Sequence, residues 1–504
     1  MGVMTMKTDN RNNVSDVVQE ADLLTLEEAA DYLCVSKSTL YRMLENNVIH
    51  GRKVGRQWRF LQNDLRQYLH RDSEQIAIES VNIEDVDTLT TAINEAAAKL
   101  QIVIEPIDVN ANAQEKVSYF ISNLILISIQ MNSSDIHLMP GKKVMSIKER
   151  VDGVLKEICT IPAATAVAVI SRFKAMVDCS VEEKQLPQDG RFTVKHNDNT
   201  FDFSTSFIPT INGESMTARR TLQGLPLMKL EDVHIQDDDM QRLRRWMKSP
   251  YGTVLFTGPT GSGKVTVLYA ALREITSPAI NTIAIEDPVM YELENVTHIS
   301  VNTRVGFTIP VALRAIMRHD PDVIVVSEIR DRDTALLTAQ CALSGHLMIS
   351  VLGVGSCLQG IKMLNDFGME RHLISESMTG IINQRLVRRI CGNCRVKIAV
   401  SHDKIDEMRK LADEGGYKMP EKVEFWRGEG CGECHGSGYR GRTGVYALLE
   451  FTRKIREAFS AGMPNETIQE IAISEGMHTM AADGIRKAVE GITTVDELIL
   501  KEVI

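Results

Sequence analysis

The stretch from Thr253 to Ile275, TVLFTGPTGSGKVTVLYAALREI, restricts the fold of this chain more than any other. It reads as a β-prone run, a glycine-rich turn and a helical pattern, in that order. Gly258, Pro259, Thr260, Gly261, Ser262, Gly263 and Lys264 fill the first seven positions of GxxxxGK[ST]. Glycines there let backbone amides curl round phosphate oxygens, and the N-terminus of the following helix favours an anion. Lys264 is placed to bring positive charge to a nucleotide's β- and γ-phosphates. The eighth position, whose hydroxyl normally ligates Mg²⁺, is Val265. Thr266 follows about 100° further round a helix and is expected to point elsewhere.

A chain of 504 residues is too long for one ordinary core. Residues 1–20 are polar and expected to be disordered. Residues 21–72 form a compact unit. Within it, Thr25 to Glu28 is a capping box opening one helix, and Ser36 caps a second, KSTLYRMLENN. RKV and QWRF flank Gly55 and Arg56 as a hairpin or wing, and NDLRQYL closes the unit. Residues 73–112 read as a linker with a helical patch. Residues 113–228 alternate helix and strand patterns, including SIKERVDGVLKEI. Residues 229–504 begin with the strand–helix alternation of a mainly parallel sheet and end in a cysteine-bearing segment, 391–434, followed by helices. The fold class is multidomain α/β.

Net charge of −10 argues against whole-surface binding to nucleic acid or anionic lipid, so any such contact must be local. No run reaches the roughly 18–20 apolar residues of a membrane span. The N-terminal residues show no apolar stretch behind their charges, which makes a cytoplasmic protein the expectation. Of nine cysteines, Cys391, Cys394, Cys431 and Cys434 form two CxxC pairs with 36 residues between them. Two such knuckles can complete a tetrahedral Zn²⁺ site, whereas either pair alone could be redox-active.

GPTGSGKVTVLYAAL resembles the phosphate loop of the ATPases that drive type II secretion and type IV pilus assembly, a hexameric RecA-like family. Four further stretches agree in order. IAIEDPV (283–289) is similar to the family's aspartate box, and RHDPDVIVVSEIRDRDTA (318–335) to its Walker B strand. SGHLMIS (344–350) is similar to its histidine box, and INQRLVRRICGNC to the run entering its metal segment. Upstream, SSDIHL, RVDG, LPQDGRF and PTINGE resemble its preceding PAS-like α+β domain.

The resemblance implies ATP and Mg²⁺ as ligands. It gives Glu328 the task of orienting the attacking water, and Glu286 with Asp287 that of organising Mg²⁺ and water. His346 joins the catalytic set through the histidine box. Arg191 and Arg219 would reach the phosphates as the PAS-like domain closes. It further implies a homo-hexamer recruited to an inner-membrane platform protein. Departures from the pattern gather at the nucleotide site: Val265, Ser327 for Gly, Met290 for an acid, Ser204 for Arg, and Gly353 where a second His stands. Losing polar ligands while keeping the amide cradle and Lys264 weakens hydrolysis more than binding.

Residues 23–69 resemble the excisionase or MerR-like winged helix-turn-helix family. Lys37, Arg42, Arg52, Lys53, Arg56 and Arg59, with Ser38 among them, face a single acid, Glu45, between Ser36 and Phe60. That local excess suits duplex DNA, although such a scaffold can also serve protein docking. Two readings stay open: a motor for pilus or secretion assembly, and a DNA-binding regulator or scaffold carrying a degenerate ATPase ring.

Overall fold

A computed structural model describes residues 23–32, 37, 40, 44, 49, 51–54, 57–61, 83–108, 110–197, 199–221 and 227–504. The chain divides into the units Met1–Gly224 and Leu225–Ile504. In the first, β1 (Leu23–Thr25) and β2 (Arg52–Val54) flank β3 (Gln57–Leu61) in a small antiparallel sheet. The capping box forms as the sequence indicates. Thr25 N donates to Glu28 Oε2 at 2.8 Å, and Glu28 N donates to Thr25 Oγ1 at 3.2 Å. The Thr25 amide bond holds the Glu28 carboxyl below its ordinary range. Helix α1 (Leu26–Tyr32) then buries Ala29 and Ala30 with Leu40, Ile49 and Phe60. The tail 1–20, the closing helix NDLRQYL, and Ser38, Arg42 and Arg56 lie outside the described residues.

Two helices, α2 (Ile83–Leu100) and α3 (Ala113–Gln130), precede a six-stranded antiparallel sheet. Its strands are β4 (Asp135–Pro140), β5 (Val144–Val151), β6 (Val154–Pro162), β7 (Gln188–His196), β8 (Asn199–Thr210) and β9 (Gly213–Arg220), in the order β6-β5-β4-β9-β8-β7. The alternation in SIKERVDG is real. Met145, Ile147, Glu149 and Val151 are buried, and Asp152 and Gly153 turn the chain at positive φ, the tight hairpin signature. Helix α4 (Ala163–Met176) joins the same core.

Residues 73–112 differ from the expected linker. Val86, Leu89 and Ile93 of α2 are fully buried in the core of the antiparallel sheet. Their i, i+3, i+7 spacing makes a narrow apolar stripe, which intervening Asp, Thr, Glu and Lys residues obscure at the level of composition.

In the second unit β10 (Gly252–Thr257), β11 (Thr282–Glu286), β12 (Val296–Ser300), β13 (Val323–Val326), β14 (Leu347–Leu352), β15 (Met378–Ile390) and β18 (Tyr439–Glu450) make one sheet, ordered β12-β11-β13-β14-β10-β15-β18. Every pairing is parallel except β15 with β18. All six residues of β10 are buried, as a central parallel strand covered on both faces requires. Helix α5 (Asp237–Met247) lays Trp246 over Gly380, where a Cβ would come within 2.7 Å of the indole. Between β15 and β18, the pair β16 (Arg395–Ile398) and β17 (Phe425–Gly428) carries the cysteine segment. Among the described residues, no helix is long and apolar enough to cross a membrane.

Glu149 is fully buried in the first unit, with Ser133 Oγ donating to its Oε2 at 2.5 Å. Burial pushes its carboxyl up to about 8, against 4.5 for the free side chain. Between those values the folded chain binds more protons than the unfolded one, so stability is greatest at the acid end and falls as pH rises towards 8. Glu149→Gln is expected to remove this dependence. Urea unfolding should show the variant gaining on the wild type by up to about 1.4 kcal/mol per pH unit across that window. A difference that does not change with pH contradicts the assignment.

Candidate functional site

The parallel strands set their C-terminal ends in one row, and the glycine loop leaves β10 at that edge. Gly258, Gly261 and Gly263 all have φ in the left-handed region, at 152°, 76° and 82°. At Gly258 the constraint is also steric, because a Cβ would lie 2.4 Å from Ser262 Oγ and 2.5 Å from the Gln384 carbonyl. Helix α6 (Lys264–Ile275) starts immediately after the loop, with its first amides turned to the cradle. Lys264 Nζ donates to the Pro259 carbonyl at 3.1 Å, across the loop it closes. Burial lowers its pKa, and the negative charge of Glu328 works against that shift. Cation, cradle and acid thus share one site.

Glu328 stands two residues beyond β13, and its Oε2 accepts from Arg330 Nε at 2.7 Å. Arg330 also lies 3.7 Å from exposed Asp287. The other Glu328 oxygen looks towards Gly353, just past the end of β14, where a Cβ would sit 3.4 Å away. A side chain at position 353 would begin beside this carboxylate, and glycine leaves that space open. Val265 is the second residue of α6 and brings no polar atom. Thr266 is the next residue of α6, and Tyr291 packs its ring against that of Tyr269 on the same helix, with centroids 5.0 Å apart.

Two residues expected to be catalytic are placed differently. His346 precedes β14, whose Leu347 pairs with Gly252 and whose Leu352 pairs with Thr257. It therefore lies at the end of the sheet remote from the loop, about 20 Å away at roughly 3.3 Å per residue. There His346 Nδ1 bonds the Cys341 carbonyl at 2.9 Å as a local support.

Glu286 ends β11 but is 2% exposed, and both its oxygens are occupied. One accepts from Tyr269 OH of α6, and the other from His298 Nδ1 at 2.7 Å. Because His298 Nε2 accepts the Leu293 amide at 3.0 Å, the proton facing Glu286 sits on Nδ1. Glu286 is thus a positioning residue that ties the loop's helix to β11 and β12. Tyr269, Tyr291 and His298 carried no sequence signal, since single polar residues within apolar runs follow no motif.

In the first unit Arg191, Ser204 and Arg219 sit in register on β7, β8 and β9. The two arginines therefore flank the position where a third was expected. Arg219 Nε donates to buried Asp135 at 2.7 Å, with its side chain still 70% exposed. Burial would raise the Asp135 carboxyl, but Arg219 and Ser134 outweigh it and hold it low. On the small sheet, Arg52 and Lys53 are exposed, and Lys53 reaches over the Trp58 ring. Lys37 pairs with Glu27 at 2.6 Å, and Arg59 Nη1 donates to the Trp58 carbonyl.

The four paired cysteines converge, with all four sulfurs within 4.8 Å of one another. Cys391–Cys431 and Cys394–Cys434 are 3.9 Å apart, and Cys431–Cys434 3.7 Å. Four thiolates at about 2.3 Å from one tetrahedral ion would be separated by about 3.8 Å, so the donor set fits a zinc-sized cation. The amides of Gly430 and Gly438 donate to Cys394 and Cys434 at 3.3 Å. Hydrogen bonds from Asn393 and the Cys434 turn lower the Cys431 thiol to about 6.

A family model described as type II/IV secretion system protein matches residues 110–500, and a helix-turn-helix domain model matches residues 23–73. The chain is 35% identical over 401 residues to the type IV pilus assembly ATPase PilB of Thermus thermophilus, covering 80% of this chain and 44% of that protein. It is 37% identical over 372 residues to the type II secretion system protein E of Pseudomonas aeruginosa, covering 74% and 72%. Its fold resembles the ATPase DotB of Legionella pneumophila (TM-score 0.55, 18% identity, 76% of this chain and 94% of that one). It also resembles the pilus retraction motor PilT with bound ADP (TM-score 0.50, 22% identity, 75% and 95%).

The Glu286 anchor makes a direct prediction. His298→Ala leaves a buried carboxylate short of its partner and is expected to destabilise the chain by about 2–4 kcal/mol. Glu286→Gln should cost less. Equal losses in thermal or denaturant unfolding contradict the arrangement.

Proposed function

The chain belongs to the type II/IV secretion system protein family, and from that premise we propose that it is an ATP-binding motor subunit of secretion or pilus assembly with weakened hydrolysis. One observation carries this reading. The glycine cradle and Lys264 stand opposite Glu328 with their polar groups in place, while positions 265 and 353 bring no polar side chain to the same site. ATP is held by the loop amides and Lys264. Glu328 orients the attacking water, and the bound Mg²⁺ lacks the hydroxyl that position 265 would supply. Transition-state charge is therefore less well met than ground-state charge, and slow turnover follows.

Arg191 and Arg219, on the PAS-like sheet, bring guanidinium groups to the phosphates as that domain closes. The working form is a homo-hexamer in the cytoplasm, held at the inner membrane by a platform protein. Cys391, Cys394, Cys431 and Cys434 hold a structural Zn²⁺, which cross-links two turns far apart in sequence. The N-terminal module binds duplex DNA with Lys37, Ser38, Arg42, Arg52, Lys53, Arg56 and Arg59. The favouring observation is the exposed pair Arg52 and Lys53 on the wing of a chain with net charge −10.

Three measurements test these parts. Steady-state ATPase activity of the wild type should lie at least about tenfold below that of Val265→Thr, while Lys264→Ala should abolish ATP binding. A wild-type rate equal to that of Val265→Thr contradicts the reading. Elemental analysis should find about one zinc per chain, and chelation should lower the unfolding temperature. A stably folded, metal-free protein contradicts the zinc assignment. Duplex DNA should shift the full chain at low salt, and Arg52→Glu with Lys53→Glu should remove the shift. Retained binding in the double variant contradicts the wing's role.

A further inference from the structure

Strand β15 continues past the end of β10. Thr257 pairs with Asn383, the last rung between the two, so Gln384 comes next, beneath the phosphate loop. Both loop glycines that touch it depend on having no Cβ. At Gly258 a Cβ would stand 2.5 Å from the Gln384 carbonyl, and at Gly263 it would stand 2.9 Å from the Gln384 Nε2. The Gln384 residue is 3% exposed, and its Oε1 has no hydrogen-bond partner. Ser262, inside the loop, is also 3% exposed, and its Oγ likewise has none. A Cβ at Gly258 would also lie 2.4 Å from that hydroxyl, so Ser262 Oγ and the Gln384 backbone both border the space this glycine leaves open.

Two unsatisfied buried oxygens beside a phosphate cradle call for an explanation, because each costs the free protein a hydrogen bond's worth of desolvation. One of them can donate and the other can only accept. We propose that Gln384 is a positioning residue for the phosphate loop, whose Oε1 receives the Ser262 hydroxyl once bound phosphates draw the loop amides inward. The bond is absent from the free chain and present in the loaded one. Its free energy therefore appears as nucleotide affinity and leaves the stability of the free protein untouched. Gln384 lies on the strand that runs on through Ile390 to Cys391, so loop closure is braced against the most extended strand of the sheet.

The inference rests on nucleotide binding by this loop, and the test separates the two. Affinity for ATP is measured by equilibrium titration on the full chain, with unfolding temperature recorded with and without ATP. Gln384→Ala and Ser262→Ala should each weaken ATP binding about five- to tenfold, and the double variant should be no weaker than either alone. Neither single variant should lower the unfolding temperature without nucleotide. Gln384→Met, which keeps the length and removes the acceptor oxygen, should lose affinity as Gln384→Ala does. Wild-type protein that binds no ATP overturns the nucleotide reading and this inference together. Wild-type binding with additive losses in the double variant, or a loss of stability without nucleotide, overturns this inference alone.

Discussion

The second unit depends on how closely the phosphate loop can approach its neighbouring strand. Gly258 and Gly263 lie so near β15 that a methyl group at either would meet Gln384 within 3 Å. That contact fixes the loop at the edge of a sheet whose central strand is buried along its whole length. From there the helix α6 follows in one direction. Tyr269 on that helix reaches Glu286, and Glu286 reaches His298, so loop, β11 and β12 form one hydrogen-bonded frame. Lys264, half-buried at the start of that helix, reaches back over the loop to the Pro259 carbonyl.

On this frame the glycine loop, Lys264 and Glu328 stand together, while positions 265 and 353 carry valine and glycine. Backbone amides cannot be removed by side-chain substitution, and Lys264 persists. The hydroxyl at position 265 and the side chain at 353 are separate from the frame, so replacing them by valine and glycine disturbs no packing. Glu328 accepts from Arg330 through one oxygen, and its other oxygen faces the open space at Gly353.

Features that depend on local spacing were legible in the residues. The capping box at Thr25, the phosphate loop and the two CxxC knuckles all follow from sequence distances of a few residues, whereas SIKERVDGVLKEI, a single strand pattern in the sequence, is split by a turn at Asp152 and Gly153. Features set by tertiary register were not. His346 lies beside the motif in sequence but at the other end of a six-residue strand, and the text does not say which end of a strand faces the loop. The resemblance implied a Mg²⁺-organising role for Glu286, yet Tyr269 and His298 from separate segments occupy its oxygens. Gln384 sits in a run of mixed polarity, and its importance comes only from which glycines lie above it. The helix Ile83–Leu100 hid its apolar stripe among charges and so passed for a linker.

The central claim is that the cradle binds nucleotide without help from position 265, and the dependence of ATP affinity on Mg²⁺ tests it most directly. Titration of the full chain with ATP in excess EDTA and in excess Mg²⁺ should give dissociation constants within about threefold of each other, because the amides and Lys264 carry the binding. Tightening by Mg²⁺ of about tenfold or more, or no ATP binding in either condition, contradicts the account.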